Sequence, residues 1–230
     1  NLNIIESKDE NDKLVREYRD RYNRVVLKRI EISSNNYLDT YYVYDQKGQL
    51  KYVLQPKYQD DASLSKYAFQ YAYDNQGRMT SKRVPGTDGN TIMSYNDKDL
   101  LEQSTDAKGQ NFHYTYDELN RPKKTLLGSE ELIETYYDGY PNEFSSLSFS
   151  NELGLGTTDF VSNPSMDARK GMVTCSRVRI LNSNGSLSST WLKSVIYYDN
   201  KYRVIQTVRE LYGLGSNAYE RVSYKRDFIG

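Results

Sequence analysis

Tyr73-Asp74-Asn75-Gln76-Gly77-Arg78-Met79 is the stretch whose reading decides the fold, because close copies of it recur along the chain. Upstream, Tyr67, Phe69, Tyr71 and Tyr73 alternate with Ala68, Gln70 and Ala72, the period of two expected of a β-strand. A carboxylate at Asp74 can accept hydrogen bonds from backbone N–H groups just beyond it, and Gly77 can take positive φ without a Cβ penalty, so the chain reverses there. Arg78 then opens the return strand within reach of Asp74. An exposed pair of this kind stabilises by about 0–1 kcal/mol, so its use is to fix the loop more than to hold the fold. The stretch is therefore a hairpin tip and its recurrence a repeat, not a catalytic motif.

The copies are Tyr44-Asp45-Gln46-Lys47-Gly48-Gln49-Leu50, with Gln49 in the arginine slot, Tyr116-Asp117-Glu118-Leu119-Asn120-Arg121, and Tyr198-Asp199-Asn200-Lys201-Tyr202-Arg203-Val204. Asp20-Arg21-Tyr22-Asn23-Arg24-Val25 matches with Arg19 in the tyrosine slot and Asn23 in the glycine slot, where Asn is the next-best residue for left-handed backbone. Worn copies follow at Tyr95-Asn96, with Asp99 in the glycine slot, and at Asp106, which lacks its aromatic. Pro56 ends the strand begun at Leu50, residues 57–65 read as a polar connector, and Asp88-Gly89 reads as a two-residue turn into Ile92. Between Gly128 and about Thr190 the motif lapses, apart from an isolated Tyr136-Tyr137-Asp138-Gly139. The expected organisation is a repeat array over 1–127, an insertion over 128–190 within the same continuous domain, and a resumed array over 191–230. In the insertion, Met172 to Leu181 and Leu187 to Ile196 form a hairpin around Asn182–Ser186. Arg226–Gly230 reads as half of a further copy, so the chain is expected to be an excised piece of a longer protein.

Composition agrees with an all-β chain. Tyrosine is the outlier, at 23 residues against 6 Phe and 1 Trp, and it suits half-buried strand positions where the ring packs and the hydroxyl finds a partner. A mean hydropathy of −0.83 is low for a two-layer core but suits sheets that are wet on one face. Lys+Arg 31 balance Asp+Glu 31, which leaves no net field to favour nucleic acid. One cysteine, Cys175, excludes an internal disulfide, and one histidine, His113, leaves no His/Cys cluster for zinc.

The Tyr-Asp-x-x-Gly-Arg-apolar pattern, carried by Tyr73 to Arg78, Tyr116 to Arg121 and Tyr198 to Arg203, resembles the YD-repeat, or RHS-repeat, proteins. These include bacterial polymorphic toxins, toxin-complex shell subunits and, more distantly, animal teneurins. The resemblance covers roughly residues 14–127 and 191–230. It implies a curved antiparallel sheet of hairpins forming part of a hollow cocoon, with Tyr44, Asp45, Gly48, Tyr73, Asp74, Gly77, Arg78, Tyr116, Asp117, Arg121, Tyr198, Asp199 and Arg203 as structural turn residues. It implies a non-enzymatic shell segment without cofactor or metal, in a secreted or bacterial cell-surface protein. Its partner would be the rest of its own polypeptide, including a C-terminal toxin domain. Neither the self-cleaving core of that family nor a toxin module matches any residue here. The alternative is a carbohydrate- or protein-binding adhesin module.

Other chemistry is weaker. The motif aspartates sit on separate tips, where turn formation outweighs a glycosidase-like pair. Glu130, Glu131 and Glu134 read as a solvated edge. Gly154-Leu155-Gly156 and Gly213-Leu214-Gly215 lack the strand-then-helix setting of a phosphate loop and read as loops. His113 lacks a singled-out partner, and Cys175 reads as a packed thiol. Exposed strand edges, especially around Val222, Tyr224, Phe228 and Ile229, predict edge-to-edge self-association.

Overall fold

The computed structural model describes residues 2–151, 170–215 and 218–224. Among them it is antiparallel β, with helix confined to short turns. It divides into two compact units, Asn1–Asn111 and Phe112–Gly230. The first holds β1 (Asn3–Lys8), β2 (Leu14–Arg19), β3 (Val25–Ser33), β4 (Asn36–Tyr44), β5 (Leu50–Leu54), β6 (Ala68–Tyr73), β7 (Met79–Arg83), β8 (Thr91–Tyr95) and β9 (Leu101–Thr105). The second holds β10 (Asn111–Tyr116), β11 (Pro122–Leu127), β12 (Glu130–Tyr137), β13 (Val173–Leu181), β14 (Leu187–Tyr198), β15 (Val204–Glu210) and β16 (Tyr219–Ser223). Within each unit every strand pairs with its neighbour in sequence, so connections alternate between the two ends of the ladder.

This alternation sorts the repeats. In the first unit the tips at Asp20, Asp45, Asp74 and Asn96 share one end, and in the second those at Asp117 and Asp199 do the same, together with Asp138. Asp106 caps the opposite end of its ladder. It is therefore not a member of the Tyr-Asp series, although its loop has the same backbone bonds, Asp106 N–H to Gln110 O at 3.0 Å and Gly109 N–H to Asp106 O at 3.0 Å.

Two local readings are corrected. The 57–65 connector contains a 3₁₀ turn, Pro56–Gln59, and a helical turn, Leu64–Tyr67, so Tyr67 precedes the strand instead of opening it. Asp88-Gly89 is not the hairpin turn. Pro85-Gly86 takes that role: Gly86 has φ +76°, and Thr87 N–H donates to Val84 O at 3.2 Å, as in a type II turn. Gly89 instead lies against backbone, where a Cβ would stand 2.7 Å from Ala107 O. The hairpin expected around Asn182–Ser186 is β13 paired with β14, and β12 pairs with β13. The predicted loop at Gly154-Leu155-Gly156, the terminal copy from Arg226, and Phe228 and Ile229 lie outside the described residues.

The two units are held differently. In the first, Val53 and Ala68 are the buried hydrophobics among the described residues, and cross-strand pairs on the sheet carry much of the packing, such as Arg29 with Asp39 at 2.7 Å and Arg16 with Glu6 at 2.6 Å. In the second, a 3₁₀ strap, Asn142–Leu147, lays Phe144 and Leu147 onto Cys175, Val195, Tyr197, Ile205 and Val208. Phe144 meets Tyr136 edge-on at 5.1 Å, and Tyr140 stacks on Tyr197 at 5.0 Å. Side chains of the sheet bind the strap's backbone: Tyr197 Oη donates to Leu147 O at 2.9 Å and Lys193 Nζ to Glu143 O at 2.8 Å. Phe144→Ala is expected to destabilise the second unit by about 3–5 kcal/mol. A denaturant midpoint unchanged from wild type would show that the strap does not carry this core.

The hairpin-tip array as candidate functional site

Each tip is a type I turn followed by a left-handed residue. Asp74 N–H donates to Arg78 O at 3.0 Å and Gly77 N–H to Asp74 O at 3.1 Å, with Gly77 at φ +88°. Asp74 Oδ1 then accepts from the N–H groups of Gln76 and Arg78, both at 2.9 Å, closing the loop from inside. Asp117 and Asp199 do the same, as does Asn96 in the aspartate slot. The left-handed slot holds Asn23, Gly48, Gly77, Asp99, Asn120 and Tyr202, at φ from +61° to +88°. A further tip of this type, Asp9 to Lys13, joins β1 to β2. Its residues, Lys8 to Lys13, include no Tyr, Gly or Arg to mark it.

The second carboxylate oxygen takes the motif arginine. Asp Oδ2 accepts Arg Nε at 2.8 Å in Asp20–Arg24, 2.7 Å in Asp74–Arg78, 2.6 Å in Asp117–Arg121 and 2.7 Å in Asp199–Arg203. At Asp74, Asp117 and Asp199 burial pulls the carboxyl pKa up, but the backbone and arginine hydrogen bonds outweigh it, and the net shift is below the usual carboxylate range. At Asp20 the Arg24 bond leads and the direction is the same.

Held this way, the guanidinium is aimed at the next hairpin. Arg24 lies 4.6 Å from the ring centre of Tyr44, Arg78 4.8 Å from Tyr95, and Arg121 4.2 Å from Tyr137. Arg78 Nη1 reaches Asp99 at 2.5 Å and Arg121 Nη2 reaches Asp138 at 2.7 Å. Tyr136-Tyr137-Asp138-Gly139 is thus no isolated stretch: Asp138 serves the arginine of the preceding tip. The tyrosines bind backward in turn. Tyr44 Oη donates to Val25 O at 2.9 Å, Tyr73 to Leu50 O at 3.0 Å, Tyr95 to Met79 O at 2.7 Å, Tyr137 to Pro122 O at 2.9 Å and Tyr198 to Val173 O at 2.6 Å. Apart from Val173, each acceptor is the first residue after a tip's final position, beside a register shift in the hairpin, where the ladder needs another donor. Burial pushes the hydroxyls of Tyr44, Tyr73, Tyr137 and Tyr198 up, so they stay protonated donors at neutral pH.

The glutamate cluster departs from expectation. Glu134 is 5% exposed, ion-paired to Arg177 at 2.5 Å and Lys124 at 3.4 Å, and accepts Tyr136 Oη at 2.8 Å. The solvated-edge reading fails at Glu134, because β11 and β13 bring cations to both sides of β12, whereas Glu130 is exposed. Cys175 is fully buried, and burial pushes its thiol up to about 12, as suits a packed residue. His113 lies half-buried in β10.

No protein-family model matches the chain, and no curated protein matches it in sequence. Among solved structures, the Photorhabdus luminescens Tc holotoxin pore is similar over 90% of this chain at 13% identity and a TM-score of 0.49. The TcdB2-TccC3-TEV crystal structure is similar over 87% at 12% identity and a TM-score of 0.48. This chain spans 11% of the length of each of those chains. A porin-like protein from Bacteroides uniformis is similar over 95% of this chain and 92% of its own, at 10% identity and a TM-score of 0.26. Such low identities and scores leave the tips of this chain to carry the functional reading.

Two expectations follow from the tips. Gly77→Val should destabilise by about 1–3 kcal/mol, and by more than Gly77→Asn, because a β-branched residue opposes positive φ. Equal denaturation midpoints for the two variants would refute the role of the left-handed slot. For Asp199, whose folded pKa is lowered, the stabilisation is complete above the unfolded carboxylate value and is lost as pH falls through the folded one, that is, below about pH 4. Asp199→Asn keeps an acceptor for the loop, as Asn96 shows, but has no charge to lose. Wild type and variant should therefore converge in stability on acidification, and a gap that persists to pH 2 by circular dichroism would contradict the assignment.

Proposed function

We propose that the chain is a non-enzymatic scaffold, a segment of an RHS-type shell in a larger secreted or surface protein that encloses or presents an effector domain elsewhere in the polypeptide. The observation that carries this reading is the reciprocal lock between successive tips, in which an arginine points forward onto a tyrosine whose hydroxyl binds back behind it. A lock of this kind fixes the spacing of neighbouring hairpins without a second layer, which is what a wall built from one sheet requires. It also spends the groups that other functions would need. Asp20, Asp74, Asp117 and Asp199 are committed to loop closure and arginine, and arginines cover faces of Tyr44, Tyr95 and Tyr137, which weighs against sugar stacking there. On this reading the outer edge of β1 meets further strands of the same polypeptide.

Limited proteolysis of the whole polypeptide tests the proposal. A downstream segment is expected to resist cleavage in the intact protein and to become sensitive once the repeat region is opened. Equal cleavage rates in both states, or a glycan array showing specific binding with no protected segment, would overturn it.

A further inference from the structure

Two tips of the array lack the arginine: Asn96, where Leu100 stands in its slot and no carboxylate is present, and Asp45, which keeps its carboxylate. Gln49 stands in the arginine slot. Asp45 Oδ1 accepts Gln49 N–H at 2.8 Å, while among the described residues Oδ2 accepts no hydrogen bond and no ion pair. Among the described residues no cation lies over the ring of Tyr73, the next motif tyrosine. Where Arg24 occupies the same path one hairpin earlier, its Nη1 lies 2.8 Å from where a Cβ on Gly48 would sit. Gln49 follows that path toward Gly77, its Nε2 3.1 Å from the equivalent point, but brings no charge and no planar fork. Between the two tips lies an open cleft of about 590 Å³, lined by Asp45, Gln49, Tyr73 and Asp74 among others.

We infer that this cleft is a vacated arginine slot that binds a guanidinium group supplied in trans, the arginine side chain of a partner segment. The recognition chemistry is that of the filled slots: a carboxylate oxygen already aimed by its loop and a tyrosine face from the next hairpin. Lys47 and Lys51 also line the cleft. Lys47 Nζ is 3.5 Å from Asn75 O, and Lys51 lies over Tyr52 at 5.5 Å, so each lysine contacts another part of the cleft lining and neither lies over Tyr73. A planar guanidinium can pair with a carboxylate and stack on a ring at once, as Arg24 does with Asp20 and Tyr44, which a compact ammonium does less well. The inference rests on slot geometry and stands whether or not the chain belongs to a shell.

The test is a titration of the whole chain with N-acetylarginine amide, followed by NMR at the Gln49 side-chain amide and the Tyr73 ring. Saturable shifts are expected, with N-acetyllysine amide binding at least about tenfold more weakly. Gln49→Arg fills the slot in cis and should abolish the response. Asp45→Asn should abolish it too, while keeping the loop as Asn96 does, and an otherwise unchanged spectrum verifies the fold of each variant. Absence of saturation, an undiminished response in either variant, or equal binding of the lysine analogue would overturn the inference. Saturation by inorganic phosphate in place of the arginine probe would likewise overturn it, assigning the cleft to Lys47 and Lys51 as an anion site.

Discussion

A carboxylate that closes its own loop with one oxygen and fixes an arginine with the other is the constraint on which the rest of the tip array depends. Oδ1 of Asp74 satisfies backbone N–H groups that the reversal would leave unpaired, and Oδ2 sets the direction of Arg78. An arginine free in solution would sacrifice side-chain entropy to stand over Tyr95 and beside Asp99. Here that ordering is completed within the hairpin, and the contact with the next hairpin forms with a side chain already in place. The worth of an exposed ion pair alone is too small to hold a sheet together. Its value lies in positioning.

Much of this was legible in the residues. Alternation of Phe69, Tyr71 and Tyr73 announced β6, and Asp74 with Gly77 announced the turn. Spacing also holds a signal: Asn96 and Asp106 are one strand apart and so cap opposite ends. The role of Asp138 was hidden because the strand that follows it in the ladder begins only at Val173, so no local return strand marked it as a tip. Glu134 looked solvated because its cations, Lys124 and Arg177, come from neighbouring strands, and nothing local to Glu130-Glu131-Leu132-Ile133-Glu134 reveals them. The strap was illegible for a similar reason. Phe144, Leu147 and Phe149 fit neither a strand nor a helix period, and only the sheet face beneath them gives their spacing a meaning.

The contrast between the units explains why the array is built at the tips. A sheet with few buried hydrophobics gains little from a core, and a ladder of backbone hydrogen bonds alone leaves neighbouring hairpins free to twist against each other. The Arg–Tyr contact and the Tyr hydroxyl bond act at the ends, where leverage against that twist is greatest. The second unit has the strap as well, and it is there that Asp199 and Tyr198 sink to near-complete burial and that the left-handed slot holds Tyr202, a residue that disfavours it. Packing in that unit can carry a strained turn that the first unit, whose described left-handed residues are Gly, Asn and Asp, does not contain. Because each lock joins only adjacent hairpins, replacing one arginine by Gln49 alters one joint and leaves the rest intact. A sheet assembled from such joints can therefore lose one of them without losing the ladder.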